Sequence, residues 1–96
     1  MRIPKQVKIG GHLYQISVIP ELENDRGSAG ESCARRLTIN VDAGGAQTHQ
    51  EEVFCHEIIE QWNYRCELGL SHDKTTIIGF LLHQFIVDNP QLLGDK

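Results

Sequence analysis

Apolar and polar positions alternate over the first third of the chain. Val7 and Ile9 precede a Gly10-Gly11 break, and Leu13-Tyr14-Gln15-Ile16-Ser17-Val18-Ile19 follows until Pro20 interrupts it. A period near two reads as β-strand, and the paired glycines mark a tight hairpin or a bulge between two strands. Residues 21–30 are acidic and glycine-containing with little to bury, which predicts a loop. Glu31 to Ala34 and Leu37 to Val41 then predict a second strand pair turning about Arg35-Arg36, with Ile39 and Val41 on one face. The expectation is a small antiparallel sheet of three to four strands, a meander over residues 1–46.

Beyond Asp42-Ala-Gly-Gly-Ala46 the period lengthens toward 3.6. Thr48 with Glu51 three residues on has the form of a capping box, so a helix is expected from about Thr48 to Glu67, within 47–68 and ending before Gly69. At about 100° per residue, Phe54, Cys55, Ile58, Ile59, Trp62 and Cys66 share a broad stripe. His49, His56, Glu60 and Asn63 line its flank. A second helix, 71–89, is predicted from Ser71 or His72 to Asp88, where Asn89-Pro90 stops it. Its expected core stripe is Ile77, Ile78, Leu81, Leu82, Phe85 and Ile86, with His72, Gly79 and His83 beside it. Glycine costs a helix about 1 kcal/mol relative to alanine, so Gly79 implies close approach of the partner helix. The fold class is therefore α+β: a small sheet followed by two packed helices.

Length and composition narrow the reading further. Ninety-six residues suffice for a single domain, 1–96. A hydrophobic fraction of 40% with 23% charged residues is globular in character. The longest apolar run, Thr75 to Val87, is interrupted by His83 and Gln84 and is too short for a bilayer span. The N-terminal residues lack a secretory apolar core, so a cytoplasmic location is expected and no membrane partner. A net charge of −4 without a basic cluster disfavours nucleic acid, whose affinity rests on Lys and Arg neutralising phosphates. Cys33, Cys55 and Cys66 are odd in number and lack CxxC spacing, so they read as reduced thiols. The five histidines direct attention to metal chemistry.

His56-Glu57-x-x-Glu60 carries the strongest chemical signal. A hydrolytic zinc site needs three protein ligands that leave one position open, with a carboxylate nearby to take a proton from water. His56 and Glu60, four residues apart, project from one helix face toward such a metal, and Glu57 projects across it as general base. The third ligand must come from elsewhere: His72 at the mouth of the second helix first, His83 second. The competing readings are structural. An isolated HExxE is ordinarily a solvated polar face, His72 a polar helix-start residue, and His83 a core-edge histidine bonded to backbone or to Glu60. Trp62 and Phe54 read as core. Cys55 is not a nucleophile paired with His56, because helix neighbours point about 100° apart and share a proton poorly.

Taken in order, Lys8-Ile9-Gly10-Gly11, the strand-turn-strand Gly30 to Asp42, Glu52-Val-Phe-Cys-His-Glu-Ile-Ile-Glu60 and Leu81-Leu-His-Gln-Phe-Ile-Val-Asp-Asn-Pro90 span nearly the whole chain. This layout resembles small phage- and prophage-type metallopeptidase-like proteins of the minimal gluzincin kind. The family's usual form has His where this chain has Glu60, and Glu near the start of the next helix, at about His72. The resemblance therefore implies a minimal zincin-like fold and an exchanged two-His, one-Glu set binding one zinc per chain. It further implies peptide hydrolysis with water activated by the metal and Glu57, acting on a peptide or protein substrate. The alternative, which small size and acidic charge suit equally, is a catalytically inactive phage- or prophage-encoded module that docks on a host protein, its metal structural or absent.

Overall fold

The computed structural model describes residues 1–93. Strands β1 (Gln6–Ile9) and β2 (His12–Ile19) form an antiparallel hairpin. Its turn is Gly10-Gly11, both with positive φ (58° and 83°). A two-residue hairpin loop of this hand requires that conformation at both positions, and glycine adopts it without a Cβ penalty. Strands β3 (Gly30–Cys33) and β4 (Thr38–Asp42) form the second antiparallel pair. Helices α2 (Gln47–Cys66) and α3 (His72–Asp88) follow, with a 3₁₀ turn at Pro90–Leu93. The predicted α+β class, a four-stranded sheet followed by two packed helices, is the observed one.

The sheet is mixed, not antiparallel throughout. Its order is β1-β2-β4-β3, and β2 pairs with β4 in parallel, Ile16 opposite Ile39 and Val18 opposite Val41. Composition explains the order. Strand β4 carries Ile39 and Val41, both wholly buried, and takes an inner position, whereas the short, polar Gly-Glu-Ser-Cys of β3 takes the edge. The connection from β2 to β4 supplies the dozen or more residues that a parallel pairing needs. Part of it, expected as loop, is helical: α1 (Leu22–Arg26) is anchored by buried Leu22 and ended by Gly27 in the left-handed region.

Ile9, Tyr14, Ile16, Ile39, Val41 and Phe54 form the core between sheet and α2. The capping box expected at Thr48 and Glu51 does not form. Ala46 is the N-cap without a side-chain bond, and the Gln50 amide donates to the carbonyls of Ala43 and Gly45 instead (3.2 and 2.8 Å). Of the predicted α2 stripe, Phe54, Cys55 and Ile59 are buried, while Trp62 and Cys66 face solvent.

Helix α3 is rotated from its predicted orientation. Ile77, Ile78, Leu81 and Phe85 are exposed, and the face pressed on α2 is that of Thr75 and Gly79, with Leu82 and Ile86 half-buried. Small residues decide this rotation. A Cβ at Gly79 would lie 2.8 Å from the Cα and 3.0 Å from the backbone nitrogen of His56, so α3 rests on α2 backbone there. Such proximity is open only to the side of α3 with the smallest side chains. Among the described residues no helix is long and apolar enough to cross a membrane.

Candidate metal centre

His56 and Glu60 lie one turn apart on α2, with His56 Nε2 3.3 Å from Glu60 Oε2. His72 opens α3, and its Nδ1 is 3.7 Å from the same oxygen. The two imidazoles meet edge-on, ring centroids 5.3 Å apart. One ligand atom from each of the three residues lies within 4.8 Å of the others. Zinc–ligand bonds of about 2.1 Å in a tetrahedron separate ligand atoms by about 3.4 Å, so modest side-chain rotation brings all three to one ion. Two imidazoles and a carboxylate are a donor set that zinc accepts, and the set leaves a coordination position for water.

Backbone features hold this geometry. The α2–α3 link turns through Glu67 and Gly69, both left-handed (φ 51° and 71°). Asn63 clamps it, its amide donating to the Leu70 carbonyl (3.0 Å) and its Oδ1 accepting from the Leu70 N–H (2.9 Å). Ser71 caps α3 by accepting from the Lys74 N–H at 3.2 Å. His72 is thereby set beside α2, and the Gly79 contact holds His56 against α3 about two helical turns further on.

Glu57 is buried, and it ends a one-way series of hydrogen bonds. Arg65 Nε donates to the Tyr14 hydroxyl (2.8 Å), which donates to Gln61 Oε1 (2.5 Å). The Gln61 amide donates to Ser32 Oγ (2.9 Å), and the Ser32 hydroxyl donates to Glu57 Oε1 (2.7 Å). Burial pushes the Glu57 carboxyl above its ordinary value. The Ser32 bond and nearby His56 oppose this, while Glu60 and Glu31 reinforce it. Gly30 gives β3 room here, because a Cβ on it would meet Val53 and stand 3.1 Å from Glu57 Oε2.

A cleft of about 600 Å³ is lined by β3 residues Gly30 to Cys33 together with His56, Glu57, Glu60 and His72. A smaller recess of about 200 Å³ continues past His56 and Glu57 to His49 and Thr76. β3 is the sheet edge, so its outer backbone groups border the cleft.

Of the residues singled out by sequence, the structure brings His56, Glu60 and His72 together beside Glu57. His83 lies elsewhere, its Nε2 3.0 Å from Glu51 Oε1 nine residues before Glu60, and so outside the cluster. Sequence reading missed Gln61, Ser32, Tyr14 and Arg65. Gln61 stands four residues after Glu57 and was within reach of helical spacing; Tyr14 and Ser32 arrive from distant strands and left no local signal. Comparison with protein-family models, with curated proteins and with solved structures finds no match to this chain.

Proposed function

We propose that this protein is a zinc-dependent, metallopeptidase-like hydrolase acting in the cytoplasm. The observation that carries the proposal is the convergence of His56, Glu60 and His72 from two helices beside a buried carboxylate, Glu57, in one cleft. The layout resembling small phage and prophage gluzincins supports it. His56, Glu60 and His72 would hold the ion. Zinc bound there would polarise a carbonyl and acidify a water molecule. Glu57, its carboxyl raised above its ordinary value by burial and oriented by the Ser32 hydroxyl, is the group that would hold a proton taken from water at this site and pass it to the leaving amine. An extended peptide adds to the open edge of β3 and so crosses the cleft at the height of Glu57.

A second reading rests on Glu60. Its carboxylate already lies near both imidazoles, so the three side chains can strap α2 to α3 by themselves in a module that docks on a partner protein. Zinc content of untagged protein separates the two. The hydrolase reading expects one zinc per chain, its loss in His56→Ala, and in Glu57→Gln retained zinc with peptide cleavage lowered at least about 100-fold. Protein that takes up no zinc on reconstitution refutes it.

A further inference from the structure

The face of α3 turned away from α2 is apolar and, among the described residues, unpartnered. Ile77, Leu81 and Phe85 are 58, 54 and 56% exposed, and Ile78 stands beside them. Four-residue spacing aligns the first three in one stripe. Lys74 and Asp88 close its ends, each seven residues from Leu81, both exposed and neither ion-paired among the described residues. A helix returns to nearly the same face every seven residues, so both charges lie on the stripe.

That arrangement is symmetric in spacing and opposite in charge about Leu81. We propose that the chain forms a homodimer through this face, with two antiparallel α3 helices related by a two-fold axis at Leu81. In that register Leu81 meets Leu81 of the second copy, Ile77 and Ile78 meet Phe85 and Gln84, and Lys74 meets Asp88 twice. An isologous contact demands such self-complementarity, and opposite charges at equal distances from the centre fulfil it. A shallow groove lined by Leu81, Gln84, Phe85, Asp88 and Asn89 receives the facing Ile77 and the Lys74 stem. Charge also argues against a lipid surface as occupant. Interfacial helices border their apolar face with Lys and Arg, whereas this stripe is bordered by one Lys and one Asp in a chain of net charge −4. The stripe is about 21 Å long and about one helix diameter, ~10 Å, wide, so it offers each partner roughly 200 Å², short of the roughly 800 Å² of a standard interface, and the dimer is reversible.

Sedimentation of untagged protein over a concentration series tests this. Wild type should show a concentration-dependent monomer–dimer equilibrium. Leu81→Glu, whose side chain is exposed in the monomer, should keep its circular dichroism and sediment as monomer throughout. K74D and D88K should each weaken association about fivefold to tenfold, and the K74D/D88K double exchange should restore it to within about threefold. Three results overturn the proposal: wild type monomeric at every concentration, a dimer indifferent to Leu81→Glu, or no recovery in the double exchange. Monomeric wild type that binds phosphatidylcholine vesicles through Leu81 also overturns it and assigns the face to lipid.

Discussion

Helices α2 and α3 are bridged by carboxylate and imidazole in two places, and the two differ in what surrounds them. Glu51 and His83 form the first bridge. Glu51 is 4% exposed and meets His83, Gln47 and, at 4.0 Å, the α-amino group of Met1. Burial by itself pushes the Glu51 carboxyl up, but the hydrogen bonds with His83 and Gln47 and the nearby positive charges outweigh it and hold the group below its ordinary value. The second bridge, Glu60 with His56 and His72, lies nine residues on, about 14 Å along the helix, where the cleft opens and His72 is 75% exposed. The same residue types thus make a closed, satisfied pair where packing excludes water, and an open donor set where it does not. A pair whose polar atoms are spent on one another inside the protein offers no site to an ion. One lining a cleft can hold one.

The largest effects that would break this contrast are on metal content. His72→Ala should abolish stoichiometric zinc binding while changing stability by no more than about 0.5 kcal/mol, as for other exposed positions. Asn63→Ala, which frees the Leu70 turn that presents His72, should weaken zinc affinity about 10- to 100-fold. His83→Ala should do the reverse, keeping zinc and losing about 1.5–3 kcal/mol in urea denaturation, because Glu51 stays buried with a partner removed. Elemental analysis and denaturation of the same preparations compare them; zinc lost from His83→Ala but kept by His72→Ala would exchange the two roles.

Gly79→Ala sharpens the contrast by pressing on both bridges at once. At an ordinary helix site the change favours folding by about 1 kcal/mol. Here the new methyl meets His56 backbone, so a loss of about 1–3 kcal/mol is expected, with weaker zinc binding as α3 moves off α2.

The smallest effects are in pH dependence, and their signs differ. Glu51 has a native pKa below 4.5, so its stabilising contribution is present above pH 4.5 and is lost as pH falls through the native value. His83→Ala should flatten this acid-side decline. Glu57 has a native pKa above 4.5, so its ionised form is penalised in the fold and stability decreases as pH rises from 4.5 through the native value. Glu57→Gln should remove that decrease in thermal melts of metal-free protein, whereas an unchanged profile would contradict the burial of Glu57.

Local patterns made much of this legible. Alternation through Leu13 to Ile19, the paired glycines and the two stretches of helical period delimit strands, hairpin and helices, because each depends on neighbours a few residues apart. His56 and Glu60 were recognisable for the same reason, as four residues always make one turn. Where Thr48 was expected to cap α2, a competing bond from Gln50 to the loop carbonyls won, a choice made between residues equally near in sequence.

By itself, then, the sequence determined the α+β composition, the order of its strands and two long helices, and the face of α2 that bears His56 and Glu60, since repeat and reach along one segment follow from covalent geometry. Tertiary structure alone decided the parallel seating of β4 beside β2, the rotation of α3 about Gly79, and the placing of His72 beside His56 and Glu60 while His83 joins Glu51. It also decided the descent of hydrogen bonds from Arg65 to Glu57. Each of these depends on which side chains can approach across the core, and that is set by volume and burial over the whole fold, not by spacing along the chain.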